Sequence, residues 1–123
     1  MVRWYVRMKI DYDKLRAILI EIESLPPSGY YSTAVSQIPG NRDELDEYLA
    51  LLEDAGWIRD PSATSSGRSC VGLTWQGHQY LDSIRDQSVW MRVRERMQAA
   101  GVSASVELVK ALALNVGKEL LGL

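Results

Sequence analysis

Residues 43–58 read DELDEYLALLEDAGWI, and this stretch decides the fold prediction. Leu45, Leu49 and Leu52 recur at the three- and four-residue spacing that places side chains on one face of an α-helix. Gly56 can adopt the left-handed conformation that ends a helix, and the apolar residues after it are typical of a strand. The stretch therefore predicts a helix with an inward leucine face, which ends near Gly56 and leads into a short strand.

The start of this helix is predicted just before the quoted stretch. Asn41 precedes Glu44 by three residues, which is an Asn variant of the capping box, in which each side chain bonds the other's free backbone N–H. The helix should therefore begin at Arg42. Residues 43–58 contain six acids and no base.

The outward face of the predicted helix is acidic. A step of 100° per residue from Leu45 places a second group of side chains opposite the leucines, with Leu51 at its flank. Carboxylates repel phosphates, so this face is a poor reader of a nucleic-acid groove. A protein-binding patch and a plain solvated surface both stay open as interpretations. The face comprises Asp43, Glu47, Ala50, Leu51 and Asp54.

The composition is that of an ordinary globular protein. The chain has 123 residues, 46% hydrophobic and 24% charged, and its formal net charge of −2 argues against non-specific binding of nucleic acid. The single cysteine cannot form an intrachain disulfide, and no apolar run approaches the length of a membrane span. The first ten residues lack the continuous apolar segment of a signal peptide. We therefore expect a cytoplasmic protein that does not contact a membrane.

Two helices are predicted before the acidic one. The first covers about residues 13–24 and ends at two prolines, which cannot continue a helix. The second is short and covers YYSTAVSQI, residues 30–38, with Val35 and Ile38 inward.

A hairpin and further helices are predicted after it. Residues 57–59 and 70–73 have the pattern of short strands, and the polar loop DPSATSSGRS joins them at residues 60–69. Thr74 caps a fourth helix, which either continues unbroken into residues 88–100 or stops before them.

The last predicted helix starts at Ser103 or Ser105 and ends near Leu121. Apolar side chains also stand beside its inward stripe, at Leu108, Leu112 and Leu114. Such wide apolar coverage is explained either by packing within one chain or by additional burial in a homodimer. The inward stripe comprises Val106, Val109, Ala113, Val116 and Leu120.

The order of these elements predicts a mainly α protein with a small β-hairpin, a winged helix-turn-helix with a C-terminal helical extension. Residues 1–10 are predicted to form an N-terminal arm and residues 11–86 the winged domain. The extension, residues 87–123, is expected to pack on that domain.

Local motifs resemble those of winged helices. YLALLEDAGWI resembles the end of a recognition helix, and GLTWQGHQYLD resembles the turn from a wing strand to the final helix. From Met8 onward the chain also resembles a family of small bacterial and prophage-encoded proteins of unknown function, through MKIDYDKLRAILIEIE, LTWQGHQYLDSIRDQSVW and the closing LGL. The resemblance implies a winged-helix fold and supplies neither an activity nor catalytic residues.

The sequence contains no pattern typical of an enzyme or a metal site. His78, with Asp82 four residues on, is more typical of a boundary side chain that packs against Trp75 than of a catalytic base. Cys70 is more typical of a small buried apolar residue than of a reactive thiolate. Gly77 lies inside a predicted helix, where we expect it to permit close approach of another helix, most simply the first. We predict no enzyme activity, no metal and no cofactor.

A modest set of basic residues predicts contact with nucleic acid. Basic side chains flank the predicted wing and recur in the N-terminal arm, and a solvated surface is the alternative for each cluster. The predicted contacts are Arg3, Arg7 and Lys9 in the arm and Arg59 and Arg68 beside the wing.

Two functions are compatible with this sequence. The first is a DNA-binding, transcription-regulator-like protein of phage or bacterial type, which contacts DNA through the wing and the arm. The alternative is a protein–protein interaction module without DNA binding, which uses the acidic helix or the C-terminal helix. Fold analogy favours the first and local charge favours the second, and fold does not determine function.

Overall fold

The computed structural model describes residues 10–101 and 106–123, which form five helices and five short strands. This confirms the predicted mainly α architecture with a small antiparallel sheet. The helices are α1 (Tyr12–Glu23), α2 (Arg42–Ala55), α3 (Trp75–Ile84), α4 (Gln87–Ala100) and α5 (Val106–Leu120). The strands are β1 (Tyr31–Ser32), β2 (Ile58–Arg59), β3 (Ser62–Thr64), β4 (Gly67–Cys70) and β5 (Gly72–Leu73).

Helix α1 begins where a carboxylate can bond its first free N–H groups. The side chain of Asp11 accepts hydrogen bonds from the backbone N–H of Asp13 at 2.9 Å and of Lys14 at 3.2 Å. Each apolar side chain on the inward face contributes about 1.5–3 kcal/mol by its burial, before the entropy cost of ordering the chain. These buried side chains are Leu15, Ile18, Leu19 and Ile22.

The predicted bounds of α2 are confirmed, and of the two hydrogen bonds of the predicted capping box one is present. The backbone N–H of Glu44 donates to Oδ1 of Asn41 at 2.7 Å, and Gly56 ends the helix in the left-handed conformation, with φ of 73°. The carboxylate of Glu44 forms an ion pair with Lys14 of α1, which ties the start of α2 to α1. The inward side chains are Leu45, Tyr48, Leu49 and Leu52.

The predicted second helix over residues 30–38 is wrong. Tyr31 and Ser32 form β1, and turns follow, so that Val35 is exposed. Here side chains bond the backbone that a helix would otherwise use: Ser32 Oγ accepts from the N–H of Ala34, and Ser36 Oγ accepts from that of Ile38. Serine side chains compete with helical backbone hydrogen bonds in this way. The predicted helix would have had only Val35 and Ile38 as inward side chains, so their burial would have offset little of this competition.

The strands form two small antiparallel sheets. In one, the order is β1–β4–β3; in the other, β2 pairs with β5, with Ile58 opposite Leu73. The pairing of β2 with β5 confirms the two predicted strands. The predicted loop at residues 60–69 is wrong in part, because it folds into the hairpin β3–β4, with Thr64 opposite Gly67 across a two-residue tip.

Helices α3 and α4 are separate. Thr74 caps α3 as predicted, since its hydroxyl accepts from the N–H of Gly77, and Asp86 starts α4 by accepting from the N–H groups of Ser88 and Val89. The guanidinium of Arg16 donates to the carbonyls of residues 84 and 85 at 2.9 and 2.7 Å. A side chain of α1 thus supplies hydrogen-bond donors to free carbonyls at the C-terminal end of α3.

The predicted close approach at Gly77 occurs, but its neighbour is different. A side chain at this position would collide with the carbonyl oxygen of Trp57, in the segment that enters β2. That carbonyl also accepts from the N–H of Thr74 at 2.9 Å. The close approach that the glycine permits is therefore to the chain that leaves α2, and not to α1 as predicted.

Helix α5 shares one core with the other elements. Val109, Ala113 and Val116 are buried as predicted, whereas Leu120 is about half exposed, so its inclusion in the inward stripe was wrong. The side chain of Val106 and the predicted starts at Ser103 and Ser105 lie outside the described residues. Among the described residues, no helix has both the length and the apolar character needed to cross a membrane.

Candidate interaction surfaces

The acidic face of α2 forms as predicted. Asp43 and Asp54 are exposed, Leu51 is 38% exposed, and Glu47 and Ala50 are half-buried. All lie away from the buried leucines, so the helix presents carboxylates with one apolar residue among them. Such a surface repels a phosphate backbone.

An apolar hollow of ≈ 210 Å³ borders this face on the side of α1. Its lining includes Leu51 and Trp57 together with Ile10 and Tyr12. Tyr48 also lines the hollow, and its hydroxyl accepts from the N–H of Asp11 at 2.9 Å. Burial raises the pKa of that hydroxyl, so it stays a neutral hydrogen-bonding group.

The basic side chains nearest the hairpin are engaged within the protein. Arg42 donates to the carbonyl of Ser66 at the hairpin tip at 2.8 Å. Arg68 forms an ion pair with Glu53 at 3.4 Å. Its backbone N–H is shared by Thr33 Oγ1 and Asp46 Oδ1, which fixes β4 against α2. The hairpin therefore carries little free positive charge.

Two of the predicted nucleic-acid contacts lie among the described residues, and they belong to different sheets. Arg68 belongs to β4, whereas Arg59 belongs to β2 in the other sheet. The guanidinium of Arg59 lies over Gly72 of β5. The remaining predicted contacts, Arg3, Arg7 and Lys9, lie outside the described residues.

The neighbours of His78 and the burial of Cys70 indicate structural roles for both side chains. Nδ1 of His78 lies 3.7 Å from Oε2 of Glu23, while Asp82, its predicted partner, forms an ion pair with Arg85. Cys70 is buried as predicted, and burial raises the pKa of its thiol, which disfavours the reactive thiolate. No group of metal-ligating side chains is found within the described ranges 10–101 and 106–123.

An apolar surface covers the outward side of α5 and the C-terminus. Its exposed fractions run from 45% at Leu120 to 86% at Leu123. A groove of ≈ 690 Å³ runs along it, and its lining includes Lys110, Ala111, Gly117 and Lys118. We call this the α5 groove; the exposed leucines that line it are Leu114, Leu121 and Leu123, and Leu120 is a further exposed leucine of α5.

The chain end is held in place by its own backbone. The N–H of Leu123 donates to the carbonyl of Lys118 at 2.8 Å, and the N–H of Gly122 donates to that of Glu119 at 3.1 Å. Arg96 of α4 also forms an ion pair with Glu119. The leucines therefore extend from an ordered turn rather than from a loose tail.

Comparison with known proteins places the chain in a family. A sequence profile described as hypothetical protein (DUF2513) matches residues 9–103, which is most of the chain. The chain belongs to the DUF2513 family. It is also 27% identical to an uncharacterized protein of Haemophilus influenzae over 93% of this chain and 99% of that protein. No solved structure matches it.

Membership in the DUF2513 family confirms the expected resemblance to a family of unknown function. The match ends at residue 103, so α5 lies beyond the matched range, whereas Ser83, which also lines the α5 groove, lies within it. Leu121 and Leu123 were not among the predicted surface residues. Ala111, Leu114 and Leu121 project to one side of a continuous helix, so helical periodicity could have placed Leu121 beside Leu114, which the sequence had already indicated.

Proposed function

We propose that this DUF2513 protein is a winged-helix interaction module that binds protein rather than catalysing a reaction, and that it forms a homodimer through the α5 groove. The observation that carries the proposal is the cluster of exposed leucines on α5 and the C-terminus. Contiguous apolar surface of this kind marks protein-binding sites on soluble proteins.

The order of elements supports the winged-helix part of the proposal. A helix, a short strand, an acidic helix, a hairpin and a further helix follow one another from α1 to α3. The strand between α1 and α2 pairs with the second strand of the hairpin, in the order β1–β4–β3. A turn at residues 33–40 takes the position of the short helix that we expected there.

The charges near the hairpin favour a protein partner over a DNA groove. The side chains of Asp43 and Asp54 point outward from α2, and Arg68 is paired with Glu53. Binding of DNA draws on lysines and arginines that neutralise phosphates. A protein partner has no such requirement.

A second copy of this chain is the occupant that fits the α5 groove. In a twofold dimer the same patch lies on both sides of the interface, so its charges must be self-complementary. Lys110 and Lys118 border the groove, and Glu107 and Glu119 lie on the same helix. Glu119 already forms an ion pair with Arg96, so Glu107 is the anion of α5 that can pair with a lysine across the axis while the leucines meet at the centre.

Sedimentation equilibrium tests the homodimer. The wild-type chain should behave as a dimer at micromolar concentration, and Leu114→Glu with Leu121→Glu should produce a folded monomer, because it places two charges in the apolar contact. Leu51→Glu is the control for the chemistry of the substitution, since it adds one such charge to an exposed leucine on α2. A wild-type chain that stays monomeric at the highest soluble concentration excludes the homodimer.

DNA contact through the wing and the N-terminal arm is the second candidate function. The observation that favours it is the exposed tip of the β3–β4 hairpin, whose residues 62–67 contain no acid. Fluorescence anisotropy with duplex DNA should then show binding that weakens steeply with salt. Arg59→Ala with Arg68→Ala should weaken it further, and a flat titration at low salt rules the candidate out.

A further inference from the structure

A small polar cavity lies between the end of α1, the β2–β5 pair and α3. Its volume is ≈ 100 Å³, and its charged and polar side chains are Glu23, Arg59 and His78, one from each side. Pro26 and Pro27 form a rigid wall. Pockets for drug-sized molecules measure about 300–1,000 Å³, so this cavity accommodates one small chemical group.

Arg59 distinguishes the cavity from the rest of the surface. Most arginines in the described ranges bond a carboxylate or a carbonyl, as Arg68 bonds Glu53. Arg59 and Arg92 have no such partner among the described residues, and of these two only Arg59 lines a cavity. Its planar fork of N–H donors is therefore available to a ligand.

The position of the Arg59 guanidinium depends on a glycine. Gly72 stands opposite Arg59 in the β2–β5 pair. A Cβ on Gly72 would lie 2.6 Å from Nη2 and 3.3 Å from Cζ of Arg59, so the guanidinium rests against the bare backbone of β5. A donor held against the strand in this way loses less conformational freedom when it binds a ligand.

The surroundings of His78 complete the site. Oε2 of Glu23 forms an ion pair with Arg85 and lies 3.7 Å from Nδ1 of His78. Arg85 thus neutralises the one carboxylate that lines the cavity. Within the described residues, Nε2 of His78 has no hydrogen-bond partner, so the ring in its Nε2–H tautomer can donate to a ligand.

We propose that this cavity binds one phosphate group, held by the guanidinium of Arg59 and by the imidazole of His78. Arginine donates two parallel N–H bonds to a pair of phosphate oxygens. A tetrahedral phosphate then presents a further oxygen in another direction, towards the α3 side of the cavity. The lone pairs that a planar carboxylate keeps after it binds the arginine fork lie in the plane of that fork, whereas a phosphate also offers an oxygen outside that plane.

His78 provides the measurement, because it is the sole histidine of the chain. Inorganic phosphate is titrated into the whole protein at constant pH, with sodium chloride at matched ionic strength as the reference, and the ring Cε1–H resonance is followed by NMR. The resonance should shift saturably with phosphate and not with chloride. Arg59→Gln should weaken the phosphate affinity about tenfold or more, since a charge-assisted bidentate contact is removed.

Arg92→Gln is the matched control, because it removes an exposed arginine outside the cavity and should leave the affinity unchanged. Glycerol phosphate in place of inorganic phosphate distinguishes an esterified phosphate group from the free ion. If both compounds saturate the site, the cavity binds a phosphate group whether it is free or esterified. If only inorganic phosphate saturates it, the cavity binds the free ion. An unsaturable response, or equal affinity in wild type and Arg59→Gln, overturns the proposal.

Discussion

The indole Nε1 of Trp90 donates a hydrogen bond of 2.7 Å to Oδ1 of Asp13 and so joins α4 to the first turn of α1. Trp90 is 2% exposed, and the other carboxylate oxygen of Asp13 lies 3.2 Å from Nη2 of Arg94. One carboxylate therefore receives both a buried neutral donor and a cation from α4. Since the N–H of a buried tryptophan needs an acceptor, this contact orients α4 on α1.

Asp13→Ala should lower the free energy of unfolding by about 1–3 kcal/mol, because the indole N–H loses its acceptor while its ring stays buried. Urea denaturation monitored by tryptophan fluorescence measures the change. Asp54→Ala, which removes an exposed carboxylate from α2, should alter stability by no more than about 0.5 kcal/mol. Equal effects of the two substitutions contradict the assigned role of Asp13.

Gly77→Ala should destabilise the protein, although alanine favours a helix over glycine by about 1 kcal/mol. The new methyl group collides with the carbonyl oxygen of Trp57, which is backbone and cannot rotate away. The ring of Trp57 also stacks on Tyr80, with centroids 4.6 Å apart, so a shift of that segment disturbs α3 again. We expect a loss of about 1–3 kcal/mol in urea denaturation, as for other overpacked sites.

Gly117→Ala is the matched control for that prediction. Gly117 is also a helical glycine, but a Cβ there meets no atom within 4 Å. Because Gly117 lines the α5 groove, the substitution is made in the Leu114→Glu, Leu121→Glu background, where it should stabilise the protein by up to about 1 kcal/mol through helix propensity. If both glycine substitutions change stability in the same direction, close packing at Gly77 is not the cause.

The acidic helix could be predicted because its signals are local. The inward leucines, the cap at Asn41 and the glycine at position 56 each specify the same helix, and all lie within residues 41–56. The outward position of Asp43 and Asp54 then follows from helical periodicity. Because these local signals agree, this helix could be predicted without knowledge of the fold.

The remaining features depend on contacts between distant residues. Residues 30–38 have the apolar spacing of a short helix, but the carboxylate of Glu21 bonds the hydroxyl of Ser36 and the N–H of Gln37. The small polar cavity between α1, the β2–β5 pair and α3 likewise brings together Glu23, Arg59 and His78 from three elements. Neither arrangement can be read from spacing along the chain, because each requires the relative placement of packed elements.

Thr33→Val should cost about 1–3 kcal/mol of stability. The Thr33 hydroxyl is buried, donates to Oδ1 of Asp46 at 2.6 Å and accepts from the N–H of Arg68 at 3.1 Å. Valine fills a similar volume, but it removes one hydrogen-bond donor and one hydrogen-bond acceptor from the junction of β1, α2 and β4. Thermal unfolding monitored by circular dichroism measures the loss.

Thr64→Val is the control for that junction. The Thr64 hydroxyl also makes hydrogen bonds, to Ser66 and Gly67 at the hairpin tip, but it is exposed, so water replaces them. We expect a change within about 0.5 kcal/mol. A loss at Thr33 no larger than that at Thr64 means that the buried junction contributes little.

Alkaline conditions should destabilise the protein through its buried neutral acids. Burial raises the pKa of Tyr31 to about 12, and it also raises those of the Tyr80 hydroxyl and the Cys70 thiol. In the unfolded chain, thiols lose their protons near pH 8.5 and phenols near pH 10. The folded state therefore holds more protons than the unfolded state above about pH 8.5, so the free energy of unfolding falls as pH rises. Urea denaturation from pH 7 to pH 11 measures this slope.

Tyr80→Phe identifies one source of the slope. The substitution removes a titrating hydroxyl that has no hydrogen-bond partner among the described residues. Stability at pH 7 should be unchanged or higher by up to about 1 kcal/mol, and the fall above pH 10 should become shallower. Tyr30→Phe, at a ring that is exposed in the folded state, should leave the slope as it is. A Tyr80→Phe variant that loses stability at pH 7 and keeps the wild-type slope contradicts a buried, unsatisfied hydroxyl at this position.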